Sequence, residues 1–152
     1  MNLSRNHKIV ISLFLGLAVA GFIDATYLSI EHYMGLTPPC TVVNGCEQVT
    51  TSIYSTFAGI SVAVFGALYY LVVIFSCIHI LLSKRHDFFK YVAFLTWAGL
   101  GASIYFTSLQ VFVIHAYCLF CLTSATISLL LFICAHYLWR EHHKYKKSII
   151  NV

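Results

Sequence analysis

The six cysteines are the residues whose type and spacing most clearly indicate chemistry. Cys118 and Cys121 form a CxxC pair, and Cys40 and Cys46 are separated by a short segment that includes Gly45. Nearby cysteines can exchange disulfide bonds, because a thiolate attacks a disulfide sulfur through a mixed disulfide. Four thiolates can also hold a zinc ion. The cysteines therefore predict either thiol–disulfide chemistry or a metal site, and the elements that carry them bear on the choice.

Four apolar stretches dominate the chain that positions these cysteines. Hydrophobic residues make up 60% of the 152 residues and charged residues only 9%, whereas a soluble domain carries about 25% charged residues. A membrane-spanning helix needs about 20 apolar residues, and in lipid its backbone groups must be satisfied within the segment. We therefore predict an all-α fold, a four-helix transmembrane bundle in a single domain of residues 1–152, with spans at residues 9–33, 60–82, 91–114 and 116–139.

The positive residues predict the orientation of these spans. With four spans, all three clusters of Lys and Arg fall on one side of the membrane, and the positive-inside rule makes that side the cytoplasm. The basic residues near the C-terminus are interpreted as topology determinants rather than as a nucleic-acid or lipid site. The clusters are Arg5 and Lys8; Lys84, Arg85 and Lys90; and Arg140, Lys144, Lys146 and Lys147.

The first outer loop, residues 34–59, has a pattern that predicts a short amphipathic surface helix. Asn44 and Glu47 resemble the start of a capping box. Val49, Ile53 and Phe57 then recur every four residues, which is the apolar stripe of a helix lying along a membrane surface. An irregular loop with this spacing by chance is the alternative.

The predicted topology separates the cysteines into two groups. Cys40, Cys46, Cys118 and Cys121 lie on the non-cytoplasmic side, where disulfides persist, and the other two are expected to be buried, inert thiols, Cys77 and Cys134. The CxxC pair opens the fourth helix, whose N-terminal N–H groups favour a thiolate. The spaced pair can form either a labile disulfide that exchanges with a protein partner or a static staple of the loop.

At this point the residues resemble the vitamin K epoxide reductase family, and in particular its bacterial members. The resemblance covers Asp24 to about Leu130. It depends on Cys40 and Cys46, on Ser52, on the Tyr54-Ser55-Thr56-Phe57-Ala58-Gly59 segment, and on Cys118-Leu119-Phe120-Cys121 at the start of the last helix. The other quinone-linked disulfide generator, DsbB, carries its two cysteine pairs in the reverse order.

The resemblance implies a role for each matching residue. Cys40 would exchange with the protein partner, and Cys46 would attack the Cys118 side of the second pair. Cys121 would face a membrane quinone, either ubiquinone or menaquinone. The Ser52 hydroxyl would polarise a quinone oxygen. No metal is expected in this interpretation.

Aromatic residues near this end of the helices are predicted to line the quinone site: Phe57, Phe65, Tyr105 and Phe112. Animal members of the family carry a tyrosine four residues after the second CxxC cysteine, where this sequence has Ala125. That departure favours reduction of a plain quinone over reduction of vitamin K epoxide.

The resemblance implies a quinone-dependent protein-dithiol oxidoreductase in the bacterial inner membrane, with both termini cytoplasmic and its active site at the periplasmic face. A separate DsbA- or thioredoxin-like protein is the expected partner, because the sequence shows no fused thioredoxin-like domain. Two alternatives remain open from the residues alone. One is a four-cysteine metal-binding membrane protein, and the other is a tetraspan scaffold with a stabilising disulfide.

Asp24 is the only acidic residue well inside a predicted span. Acidic residues within a membrane are expensive and are functional candidates. A proton path for quinone reduction is one expected role, and a hydrogen bond from a protonated carboxyl group to a neighbouring helix is the other.

Overall fold

A computed structural model describes residues 5–36, 38, 45–83 and 89–150 of the chain. Four long helices make up most of it: α1 (Arg5–Met34), α3 (Val62–Ser83), α4 (Phe89–Leu109) and α5 (Leu119–Ile150). Each has a stretch long and apolar enough to cross a membrane, namely Ile9–Met34, Val62–Leu82, Lys90–Ile114 and Leu119–Glu141. The predicted four-helix transmembrane bundle is therefore confirmed.

The helices pack around an apolar core that continues along the bundle. Helix α1 packs against α3 and α5, and α4 packs against α5. The core residues include Phe14, Ala18, Val73 and Leu131, all of which are buried. Large apolar side chains also point outwards, Phe75 and Phe94 among them, as expected for helices that face lipid.

The last turns of α4 change geometry before the chain enters α5. Residues Gln110–Ile114 form a π-helical turn, and His115 ends it in the left-handed conformation, with φ 54°. Helices commonly end on a left-handed residue because it reverses the chain direction. Helix α5 consequently begins at Leu119, three residues later than the sequence predicts, after an irregular turn at 115–118.

In the described part of the loop after α1, a short helix, α2 (Cys46–Thr50), is followed by a 3₁₀ turn, Ile53–Ser55. A small hairpin follows, in which β1 (Thr56–Phe57) pairs antiparallel with β2 (Ile60–Ser61). Its turn residues, Ala58 and Gly59, both have positive φ, which suits a tight two-residue hairpin.

The short helix in the described part of this loop is therefore α2 alone, and it does not extend along the whole apolar stripe of Val49, Ile53 and Phe57. Val49 lies on α2 and is buried, whereas Ile53 and Phe57 are 82% and 70% exposed and lie beyond the helix. The reason is the hairpin, which reverses the chain directly before α3 and leaves no room for further helical turns. The predicted capping residue Asn44 lies outside the described residues, and Gly45 occupies the N-cap position of α2.

Candidate functional site

One end of the bundle, which we call the cysteine end, brings together the two cysteine-bearing segments. Cys46, at the start of α2, and Cys118, directly before α5, belong to one buried cluster with Val49 and Ala116. Cys46 is 1% exposed and Cys118 is 0% exposed. Cys121 packs against the same cluster. Three of the four predicted redox cysteines are therefore neighbours in the fold.

A glycine allows this close approach of the two segments. A Cβ atom at Gly45 would lie 2.8 Å from the backbone nitrogen and 2.9 Å from the backbone oxygen of Tyr117. No ordinary side chain fits so near to a backbone. Because Gly45 has no side chain, the segment that carries Cys46 lies directly against Tyr117, the residue before Cys118.

The cysteines differ in oxidation state. Cys46 is disulfide-bonded, whereas Cys118 and Cys121 are free thiols. Cys40, predicted to pair with Cys46, lies outside the described residues. Cys77 and Cys134, predicted to be inert, are also free and lie in or against the apolar core of the bundle.

Cys118 has the surroundings of a reactive thiol. A hydrogen bond from the Cys121 side chain lowers the pKa of Cys118 to about 7, and the backbone N–H groups of Cys121 and Phe120 add to that effect, while burial opposes it. The Cys118 carbonyl oxygen accepts the Leu122 N–H at 3.0 Å, as the first bond of α5. The CxxC pair thus holds a thiolate at Cys118 and a donating thiol at Cys121 near neutral pH.

Gln110, which the sequence analysis did not single out, holds the turn that carries Cys118. Its side-chain Oε1 accepts the N–H of Cys118 at 2.8 Å, and its backbone oxygen accepts the N–H of Ala116 at 3.1 Å. The residue is 2% exposed and lies at the π-helical turn, a geometry that often occurs at functional sites. An amide within an otherwise apolar span was the signal in the sequence that could have identified it.

A cavity of about 310 Å³ opens beside the CxxC pair at the cysteine end. Its wall includes Cys121 but not Cys118 or Cys46. Pockets for small molecules start at about 300 Å³ and are mostly apolar, with a few polar groups. Further lining residues come from α1, the loop, α3, α4 and α5, among them Asp24, His32, Ser52, Phe65, Tyr69, Tyr70, Phe106, Gln110, Ser124 and Ala125.

Ser52 lines this cavity. Its hydroxyl group donates a hydrogen bond to the Val49 carbonyl oxygen at 2.8 Å. The proton that would polarise a quinone oxygen is therefore already engaged. In this arrangement Ser52 fixes the end of α2 and presents only its oxygen lone pairs to the cavity.

Of the four predicted aromatic lining residues, the structure places only Phe65 in the cavity wall. Phe57 packs edge-to-face on Phe65, with ring centroids 6.2 Å apart, and does not itself line the cavity. Tyr105 and Phe112 are 57% and 75% exposed and point away from it. The rotation of α4 places Phe106 in the wall instead of its neighbour Tyr105, and apolar composition on all sides of a membrane helix does not reveal that rotation.

The polar atoms of the wall fit a ligand with a flat apolar body and carbonyl oxygens. The Tyr70 hydroxyl group is engaged by Ser124 and Ser128, at 2.8 and 3.2 Å from their hydroxyl oxygens. By contrast, Asp24 Oδ2 and the Tyr69 hydroxyl are buried without a hydrogen-bond partner. Buried polar atoms are normally paired, so an unpaired donor in an apolar cavity suits a quinone.

Among the residues that the structure describes, no three His, Cys, Asp or Glu side chains are grouped as metal ligands. A four-cysteine site would need the sulfur of Cys46 as a thiolate. Among the described residues, the sulfur of Cys46 is already engaged in a disulfide bond.

Comparison with known proteins agrees with this geometry. A search of curated proteins found no match to the chain. The sequence model of the Vitamin K epoxide reductase family matches residues 12–136, which include α1, the loop, α3, α4 and most of α5. Members of this family are membrane thiol–disulfide oxidoreductases that use quinones. The chain, with its CxxC pair beside a membrane-embedded cavity, belongs to the vitamin K epoxide reductase family.

Proposed function

We propose that the protein reoxidises a DsbA- or thioredoxin-like partner and passes the electrons to ubiquinone or menaquinone, thereby supporting disulfide bond formation. One observation carries the proposal. Cys118 shares a buried cluster with Cys46, while Cys121, one helical turn later, lines the adjacent cavity. The CxxC pair thus has one sulfur beside another cysteine and the other sulfur beside a ligand-sized space.

The thiol steps follow from this placement. A thiolate of the reduced partner attacks the proposed Cys40–Cys46 disulfide at Cys40 and forms a mixed disulfide. The partner's second thiol then attacks this bond, so that the partner leaves as a disulfide and Cys40 is released as a thiol. The freed Cys46 thiolate attacks Cys118 of an oxidised Cys118–Cys121 pair. Attack by Cys40 on that mixed disulfide restores Cys40–Cys46 and leaves Cys118 and Cys121 as thiols.

The cavity residues would hold the acceptor. Phe65 and Phe106 offer apolar surface for a ring, and Cys121 gives a sulfur contact. A bound quinone supplies the capacity to take up two electrons and two protons. DsbA, at about −120 mV, cannot pass electrons to a glutathione-like pool at about −220 mV. A more oxidising acceptor, such as a quinone, is therefore needed.

The charge distribution supports a location in the bacterial inner membrane. Lys90 and Arg140 lie at the end of the bundle opposite the cysteine end, and positive residues favour the cytoplasmic side. Both termini are then cytoplasmic, and the cysteine end faces the periplasm, where disulfides form.

Anaerobic mixing of the purified protein with a short-chain ubiquinone and a reduced DsbA-like protein tests this function, with quinone absorbance as the signal. We expect hydroquinone to form with the wild-type protein and with Cys77→Ser, the matched control. We expect none with Cys118→Ser or Cys121→Ser. No hydroquinone from wild-type protein with intact thiols would overturn the proposal, and full activity of Cys118→Ser would show that Cys118 is not part of the electron relay.

A further inference from the structure

Asp24 occupies an unusual place in the wall of the cavity. It lies within the membrane span of α1 and lines the same space as Cys121. Four buried side-chain atoms among the described residues lack a hydrogen-bond partner, and one of them is Asp24 Oδ2. An unpaired carboxylate at this depth would be costly, because nothing replaces its hydration. A neutral carboxylic acid avoids that cost, and in that form Asp24 has a proton to give.

The cavity that Asp24 lines also has Cys121 and Tyr70 in its wall. Asp24 is the only Asp or Glu among the described residues that line the cavity. A proton given up by Asp24 is therefore released within the same enclosed space in which Cys121 lies.

Reduction of a quinone by the CxxC pair requires a further proton donor of this kind. When Cys118 is a thiolate held by the Cys121 S–H group, the reduced pair carries one proton. Reduction of a quinone to the hydroquinone takes up two electrons and two protons. The pair supplies both electrons but only one proton, so a second proton donor is needed beside the acceptor.

We propose that Asp24 is a catalytic residue that hydrogen-bonds an oxygen of the quinone and donates the second proton to it. This assignment rests on the proposed function. In the step, the sulfurs of Cys118 and Cys121 lose two electrons and join in a disulfide, and the Cys121 S–H bond breaks. Two O–H bonds form, one with the proton of Cys121 and one with the proton of Asp24. Asp24 is left as a carboxylate and then takes a proton from water.

The other polar groups of the wall are less suitable donors. The Tyr69 hydroxyl is also unpaired, but it lies against Gly99, where even an added methyl group would clash with it. The Tyr70 hydroxyl is engaged by Ser124 and Ser128. A phenol is in addition a much weaker acid than a carboxyl group.

The proton that restores Asp24 can enter from the cysteine end. Asp24, Leu28 and His32 are spaced four residues apart, and all three line the cavity, so they share one face of α1. His32 lies near the end of that helix. Towards the opposite end, the described core on α1 is apolar, with Phe14 and Ala18 buried.

The test compares Asp24→Asn with Glu31→Gln. Glu31 is an acidic residue on the same helix but does not line the cavity, so Glu31→Gln is the matched control. Reduced protein is mixed with a short-chain ubiquinone, and a single oxidation of the CxxC pair is followed. We expect Asp24→Asn to be slower by about 100-fold, the lower range for general acid catalysis. Quinone affinity, measured by fluorescence quenching of the oxidised protein, should stay unchanged, because the amide keeps a donor. Glu31→Gln should match wild type in both measurements.

A second readout needs no quinone. The infrared spectrum of the resting protein should show the C=O band of a protonated carboxyl group, which Asp24→Asn removes and Glu31→Gln retains. Asp24→Glu, which keeps the acid, should recover most of the rate and serves as the kinetic probe if Asp24→Asn does not fold.

Three outcomes would overturn the assignment: an Asp24→Asn rate equal to wild type, absence of the infrared difference, or an Asp24→Glu protein that binds quinone but oxidises no faster than Asp24→Asn. Failure of the proposed function looks different. In that case the wild-type CxxC pair is not oxidised by quinone at all, and the assignment of Asp24 falls with it.

Discussion

The two cysteines of the CxxC pair are three residues apart but have different surroundings. Cys118 is fully buried beside Cys46, whereas Cys121 lines the cavity. The Cys121 thiol stabilises the Cys118 thiolate by a hydrogen bond. Under the proposed function, Cys118 exchanges with another cysteine and Cys121 exchanges with the acceptor.

Removal of the Cys121 thiol should weaken this activation. In Cys121→Ala, the pKa of Cys118 should rise from about 7 towards its ordinary value of 9.0, because its principal hydrogen-bond donor is lost. The thiolate fraction at pH 7 then falls by up to about tenfold for each unit of rise. The pKa of Cys118 is measured as the midpoint of its rate of alkylation by iodoacetamide, followed between pH 5 and about 9.5.

Cys134→Ala is the control for that titration, since Cys134 lies against the core of the bundle. It should leave the midpoint of Cys118 where it is in wild type. A Cys121→Ala midpoint equal to that of wild type would show that the hydrogen bond from Cys121 does not activate Cys118.

Gln110 should matter for the stability of the turn before α5. Gln110→Met keeps the size of the side chain but leaves the buried Cys118 N–H without its acceptor, at a cost of about 1–3 kcal/mol. Thermal unfolding in detergent measures the loss. Ser108→Ala on the same helix removes only an exposed hydroxyl group, and its effect should stay within about 0.5 kcal/mol. Equal stability of Gln110→Met and wild type would contradict this role.

At the scale of the helices and loops, hydropathy alone is enough to predict the spans. Four runs of apolar residues must become helices in lipid, whatever their neighbours are. The rotation of each helix about its own axis cannot be predicted in this way, because lipid-facing and core-facing residues are both apolar. For this reason Tyr105 was predicted in the cavity wall, where the structure has Phe106.

The loop shows where local pattern reading fails. Val49, Ile53 and Phe57 have helical spacing, yet α2 ends at Thr50 because Ala58 and Gly59 form a hairpin turn that returns the chain to α3. The cysteine positions were better predicted, since the ends of the spans fix them. The contact between Gly45 and Tyr117 is tertiary and has no signal in the local sequence.

A side chain at position 45 should separate the two cysteine segments. Gly45→Val places a Cβ atom within 3 Å of the Tyr117 backbone, so Cys46 and Cys118 are forced apart. We expect normal quinone binding but slow transfer from the partner thiol to the CxxC pair. Single-turnover kinetics with a reduced DsbA-like protein provide the measurement.

Gly16→Ala is the matched glycine control, because nothing lies within 4 Å of a Cβ atom at that position. It should leave the transfer unchanged and can stabilise α1 slightly. Transfer at the wild-type rate in Gly45→Val would show that the close approach at Gly45 is not needed.

Across the whole molecule, the two ends of the bundle differ. The cysteine end carries the cavity, the polar groups of its wall and the redox sulfurs. The opposite half is a close-packed apolar core of residues such as Phe14, Val73 and Leu138. This asymmetry fits an enzyme that exchanges thiols on one side of a membrane and keeps the other side as an anchor.

The orientation of the bundle can be tested with C-terminal reporters in a bacterial host. Green fluorescent protein fused after Val152 should fluoresce, and alkaline phosphatase at the same position should be inactive, because the positive-inside rule predicts that this end lies in the cytoplasm. Reporters fused after Leu36 should behave in the opposite way. An active phosphatase after Val152 would place the cysteine end in the cytoplasm, contrary to the proposed function.

The central claim is that Cys46 and Cys118 are close enough to exchange a disulfide. The variant Cys40→Ser/Cys121→Ser removes the proposed partners of these two sulfurs. Peptide mass spectrometry after mild oxidation in detergent then reveals what they bond to. We expect an intramolecular Cys46–Cys118 disulfide in most of the protein. Cys46 and Cys118 that both remain free to alkylate, in protein that is folded by thermal unfolding, would contradict it.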